Sequence, residues 1–177
     1  MDWTEGGHGL YVYTNVSSTG GNSATLNAGN GGSIEFRPEL NEVELGLAAV
    51  ENVIIEGTID LSGGDGVAGG NGGGIFASDF CRPAISATGI RVGGTITLDG
   101  GDGTDSGGGG AGRLFLITAR GAVTVSGTIH SVGGASTMSS GGYFAGSSFF
   151  GVPAAVSADI TAGGGSGGTT GGVGDDI

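Results

Sequence analysis

One short phrase, met five times, constrains this chain more than any other feature. It reads "GTIDLS" at Gly57, "GTITLD" at Gly94 and "GTIHSV" at Gly127, with looser copies "ADITAG" at Ala158 and "ATLNAG" at Ala24. The starts fall 33, 37, 33 and 31 residues apart, a period that belongs to stacked repeats. Its third position is Leu26, Ile59, Ile96, Ile129 and Ile160, aliphatic every time, and the preceding position is polar: Thr25, Thr58, Thr95, Thr128 and Asp159. Side chains alternate across a strand, so each phrase reads as a half-buried strand with one aliphatic and one polar face.

Long glycine arms follow the phrases. Glycine supplies 45 of the 177 residues, against an ordinary share of about 7%, and much of it falls in steps of three. Gly63, Gly66, Gly69 and Gly72 are in step, as are Gly100 and Gly103, and Gly165, Gly168 and Gly171; the arm "GGASTMSSGG" breaks step. Three is the period of polyproline II, and glycine at every third position lets such strands lie side by side. A polyproline II strand has no internal hydrogen bonds, so its amides need partners in neighbouring arms. Twelve such residues, fully extended, reach about 37 Å. A flexible Gly/Ser linker is the alternative, but a linker needs neither the step nor the recurrence at one place in every repeat.

Two further apolar segments complete each unit. "SIEF", "GIFA", "RLFLI" and "YFAG" come after the glycines, and "NVIIE", "GIRV" and "AVTVS" precede the next phrase; β-branched and aromatic residues mark them as strands. Three short strands that cannot bury their own apolar face, repeated with small changes of length, predict an all-β parallel solenoid of about five coils with glycine-rich polyproline II arms. Residues 1–22 are expected to cap it and 23–174 to form the repeats. Pro38 opens "PELNEVELGLAAVENV", which predicts a short helical insertion over 38–51.

The arms and phrases together, "GTIDLSGGDGVAGGNGGGI" and "GTITLDGGDGTDSGGGGAGRLFLI", resemble the glycine-rich β-helical repeats of bacterial extracellular adhesins. The triplet arms also resemble the glycine-rich motifs of the receptor-binding adhesins at the tips of T-even-type phage tail fibres. The second resemblance implies a virion protein in which glycine-rich strands form a rigid platform and variable loops contact host receptors. The corresponding loops here are "DFCRPAISAT" and "YFAGSSFFGVP". A regular "GTI" phrase is a departure from the phage pattern.

Seventeen Asp and Glu against five Arg and no Lys give a formal charge of −12, which repels phosphate backbones and anionic membranes. Nucleic acid and membrane insertion are therefore not expected as partners. The opening "MDWTEGGHGL" lacks the features of a secretory signal, and Cys81 stands alone, so no internal disulfide is expected. "GGDGTDSGG" matches the calcium nonapeptide through Asp105 but places Gly107 where a large apolar residue belongs. The sequence thus asks for no cofactor, with calcium at Asp102 and Asp105 the sole alternative. His8 and His130 have no metal-spaced companions, and no nucleophile motif is present. The expectation is a non-enzymatic structural and adhesive protein of a virion tail fibre or tip, assembled with further subunits or copies of itself and contacting a host glycan or protein receptor. A cell-surface adhesin and an ice- or glycan-binding solenoid are the alternatives; Thr95 and Thr97 form the one complete Thr-x-Thr pair. The aromatics Tyr143, Phe144, Phe149 and Phe150 are candidates for receptor or subunit contact, or for capping.

Overall fold

A computed structural model describes residues 10–35, 53–77, 89–117, 121–144, 146, 148–151 and 153–173. They wind through five coils, with sixteen short strands and no helix among the described residues. The first coil holds β1 (Leu10–Val12), β2 (Val16–Ser17) and β3 (Ile34–Glu35). The second holds β4 (Val53–Ile55), β5 (Thr58–Asp60), β6 (Gly66–Ala68) and β7 (Ile75–Ala77). The third holds β8 (Gly89–Val92), β9 (Thr95–Thr97), β10 (Gly103–Gly107) and β11 (Leu114–Ile117). The fourth holds β12 (Ala122–Val125), β13 (Thr128–Val132) and β14 (Ser148–Phe150), and the fifth β15 (Ala154–Val156) and β16 (Asp159–Gly163).

Stacking produces three all-parallel sheets, β1-β4-β8-β12-β15, β2-β5-β9-β13-β16 and β3-β7-β11-β14, which we term the A, B and C sheets; β6 and β10 form a fourth, two-stranded one. This is a parallel β-solenoid-like stack. Its core is a set of aliphatic columns supplied by alternate residues. The A sheet sends in Val53, Ile90 and Val123, and Ile55, Val92 and Val125; the B sheet sends in Ile59, Ile96 and Ile129; the C sheet adds Ile75 and Leu114, all buried. Burying each such side chain contributes about 1.5–3 kcal/mol. The polar partners Thr58, Thr95 and Thr128 share the outer face of the B sheet, one per coil.

The glycine that opens the phrase has a structural reason. Between the A and B sheets the chain turns so tightly that the amides of Glu56 and Gly57 both donate to the Val12 carbonyl, at 2.8 and 2.9 Å. The same fork recurs one coil on, from Gly93 and Gly94 to Ile55. A Cβ at Gly94 would run into the Gly57 carbonyl, and one at Gly127 into that of Gly94. Stacked corners leave room for hydrogen alone.

Three expectations change. Leu26 does not head the core column: it is 70% exposed, and the residue beneath Ile59 is Val16. Thr25 likewise leaves the threonine column. "ATLNAG" belongs to the first arm, where Gly20 donates to Ser62 and Ala28 to Ala68. Residues 10–22, expected as a cap, already contain β1 and β2 of the first coil. The helical insertion over 38–51, between β3 and β4, and the loop "DFCRPAISAT" that follows β7 lie outside the described residues.

Candidate functional site

Each glycine arm leaves the solenoid where the B sheet ends and returns where the C sheet begins. It is not one extended strand. It doubles back as two antiparallel limbs: Gly70 donates to Gly64 (2.9 Å) and Gly73 to Leu61 (2.7 Å) in the second coil, and Gly109 to Gly101 (2.9 Å) and Gly112 to Leu98 (2.6 Å) in the third. The reach is therefore about half of the extended value, on the order of 19 Å for six residues. All outgoing limbs form one layer and all returning limbs another, giving a two-layer slab beside the solenoid.

Within a limb the amides fall into three classes, which accounts for the three-residue step. The first donates straight to the next coil: Gly63 to Asp99 and Gly66 to Asp102, both on the outgoing limb, then Gly69 to Gly107 and Gly72 to Gly110 on the returning one, at 2.8–3.0 Å. The second joins the two layers. Gly29 donates to Gly21, Gly64 to Gly29, Gly70 to Gly64, Gly101 to Gly70, Gly109 to Gly101, Gly134 to Gly109, Gly142 to Gly134, Gly165 to Gly142 and Gly172 to Gly165, at 2.6–3.0 Å. This is one unbroken zigzag through all five coils, and bonds chained in this way polarise one another.

The third class donates to side chains of the coil below. Asp65 N–H donates to Asn22 Oδ1 (2.9 Å), Asp102 N–H to Asp65 Oδ1 (2.8 Å) and Ala135 N–H to Asp102 Oδ1 (2.7 Å) on the outgoing layer. On the returning layer Asn71 N–H donates to Asn30 Oδ1 (2.8 Å) and Gly110 N–H to Asn71 Oδ1 (2.7 Å). Side chains of this third class point out of the slab and are its chemical surface.

Glycine predominates in the first two classes because most of these positions have no space for a Cβ, not because the backbone is left-handed; Ala28, Ala111 and Ser136 are first-class positions that do carry a side chain. Among the described residues only Gly107 and Gly146 have positive φ. A Cβ at Gly63, Gly69 or Gly100 would collide with the carbonyl of Gly70, Gly101 or Gly109. The same holds at Gly66, Gly72, Gly103, Gly165 and Gly168, each crowded by backbone, whereas Gly171 has only Gly165 O at 3.9 Å. The second class, Gly64, Gly70, Gly101, Gly109, Gly134 and Gly142, was not singled out in the sequence. Its signal is the doublet before an Asx: "GGN" at Gly20, "GGD" at Gly63, "GGN" at Gly69 and "GGD" at Gly100. The out-of-step arm is ordered too, since Gly133–Gly134 and Gly141–Gly142 keep their places, Ala135 and Ser136 continue the outgoing limb, and only the residues after them span the tip.

The other candidates separate. Thr95 and Thr97 are half-buried neighbours on the outer B-sheet face, but the column through Thr97 reads Ser17, Asp60, Thr97, His130 and Thr161. His130 is engaged sideways: its Nδ1 lies 2.7 and 2.6 Å from the carboxylate oxygens of Asp99, whose Oδ1 also accepts Val132 N–H at 2.8 Å. Phe144 is buried, while Tyr143 beside it is 52% exposed. Phe149 and Phe150 lie in β14, paired with Leu116 and Ile117, and their side chains lie outside the described residues. At the proposed calcium pair, Asp102 accepts from Ala135 within the ladder and Asp105 is exposed in β10. No group of three or more His, Cys, Asp or Glu that could hold a metal occurs among the described residues.

Comparison with protein-family models, with curated proteins and with solved structures finds no match to this chain.

Proposed function

We propose that this chain is a rigid, non-enzymatic adhesive module of a virion tail fibre or tail tip, with the slab as the platform that presents its contact surface to a host receptor. The observation that supports this reading is the zigzag of glycine bonds through all five coils. It fixes the arms to one another without an apolar core, so stiffness extends from the solenoid into the arms. Their tips and outward positions then carry exposed side chains of mixed chemistry, including Leu26 and Met138 at 70% and 68%, on backbone that is held still. A rigid display lowers the ordering cost of binding.

The test is adsorption. Purified protein should adhere to intact host cells and compete with the particles for them, and antibodies raised against it should decorate the tail or tip in electron micrographs. Particles whose proteome lacks the chain, together with a protein that adheres to no cells, would overturn the reading.

A further inference from the structure

On the returning layer one aromatic ring lies on the slab. A Cβ built on Gly110 would meet the Tyr143 ring before anything else, with Cε1 at 2.7 Å, Cζ at 2.8 Å and Cδ1 at 3.2 Å. The ring of Tyr143 therefore rests over Gly110, one coil below its own, and half of it faces solvent. The next outward residue in that column is Asn71 and the one after is Asn30, both exposed. Each accepts at its Oδ1 from a backbone N–H of the coil above. That commitment fixes the orientation of both amides and leaves each Nδ2, a two-proton donor, without an acceptor among the described residues. Alongside runs a second outward column holding Ser33 and the exposed Arg113. The two columns named here hold no carboxylate among the described residues; Asp65 and Asp102 belong to the outgoing layer.

A flat aromatic face followed by amide donors at the strand spacing of about 4.8 Å matches one class of ligand, a chain of pyranose rings. Such a ring offers axial C–H groups to an aromatic face and a rim of hydroxyls to amide donors. We infer that the strip Tyr143–Asn71–Asn30 binds a neutral oligosaccharide, one sugar stacked on Tyr143 and its neighbours hydrogen-bonded to the two amides. This rests on the adhesive reading above and names the receptor chemistry for it.

The test is calorimetric titration with a panel of neutral hexasaccharides of glucose, mannose and N-acetylglucosamine, with circular dichroism as the control for fold. At least one should bind, and Tyr143→Ala should weaken it about tenfold while Tyr143→Phe retains it. Gly110→Ala keeps the aromatic but lifts it off the slab, and should weaken binding similarly. Asn71→Asp keeps the acceptor for Gly110 while removing the donor, and should weaken binding severalfold; Met138→Ser at an arm tip should not. Failure of every hexasaccharide to bind, or binding indifferent to Tyr143→Ala and Gly110→Ala, overturns the strip. If the protein still adheres to host cells in that case, the adhesive reading stands and the contact lies elsewhere. If sugar binding depends on Tyr143 but no cell is bound, the strip stands and the host-adhesion reading falls.

Discussion

Gly101→Ala tests the slab at its centre. Gly101 is buried, donates to Gly70 at 2.8 Å and accepts from Gly109 at 2.9 Å. A Cβ there would overlap the carbonyl of Gly64, itself the acceptor for Gly70. The methyl cannot be accommodated by a rotamer change, because what it meets is backbone on a layer hydrogen-bonded on both sides. Moving the Gly64 carbonyl disrupts its bond from Gly70 and the adjacent one from Gly101. A buried backbone group left unpaired costs about 1–3 kcal/mol, so two broken bonds cost roughly 2–6 kcal/mol. Alanine restricts the unfolded chain and offsets about 0.4–1 kcal/mol of that. The net loss is about 1–5.5 kcal/mol, against a typical domain stability of about 5–15 kcal/mol.

The matched control is Gly21→Ala. Gly21 occupies the same class in the first of the described coils, and a Cβ there meets nothing within 4 Å. Its backbone is not left-handed, so alanine fits and should be neutral or stabilising by up to about 1 kcal/mol. Urea unfolding followed by far-ultraviolet circular dichroism separates the two. With a slope of about 2 kcal/mol/M, Gly101→Ala should lower the midpoint by about 0.5–2.8 M and Gly21→Ala should not lower it. Equal midpoints for the two variants would mean that the arms do not pack on one another in solution, and the reasoning would fail.

Further outcomes follow from single contacts. Ile129→Ala empties a fully buried position between Ile96 and Ile160 and should cost about 2–5 kcal/mol, whereas Ile160→Ala, only partly buried, should cost clearly less; paired urea midpoints decide. Asp102→Ala removes the acceptor of the Ala135 amide and should cost about 0.5–1.5 kcal/mol. Asp102→Asn retains that acceptor and removes a like charge from beside Asp65, so it should melt no lower than the parent, with any gain fading as salt is raised. Asp99→Ala, which frees both His130 and Val132 N–H, should cost more than Asp99→Asn, which can still accept from Val132; thermal melts of the two check this.

The solenoid was legible because its signals are local and periodic. Ile59, Ile96 and Ile129 announce a column, and alternation with Thr58, Thr95 and Thr128 assigns the faces. The first coil was misread for the same reason. "NVSSTG" carries a valine and no Gly-Thr, so "ATLNAG", a better match in letters, drew the register ten residues too far along. Only the pairing of Val16 with Ile59 corrects it. The arms were half legible. A step of three shows in the letters, but the fold-back does not, because limb and returning limb are separate runs whose phases are reset by tips of different length. The aromatic on the slab was not legible at all. That Tyr143 lies on Gly110 depends on the stacking of two coils 33 residues apart and on a glycine at the one outward position that needs none.

The division of labour among the three classes has an evolutionary consequence. Glycines of the first two classes at the interior of the slab, such as Gly63, Gly69, Gly100, Gly101 and Gly109, have backbone where a Cβ would go, so they cannot vary without cost to the slab. Outward positions and tips carry no such constraint: the third class reads Asn22, Asp65, Asp102, Ala135 and Ser166 on one layer, and Asn30, Asn71, Gly110, Tyr143 and Val173 on the other. The tips differ in length as well as content, and the ladder beneath them is unbroken all the same. Surface chemistry can therefore be exchanged residue by residue at a cost no larger than that of one side-chain hydrogen bond, about 0.5–1.5 kcal/mol. By the same logic, randomising Ala135, Tyr143 and the 137–139 tip should leave the unfolding free energy from urea titration within about 1 kcal/mol of the parent; a library in which most such variants unfold would show that these side chains hold the slab together after all.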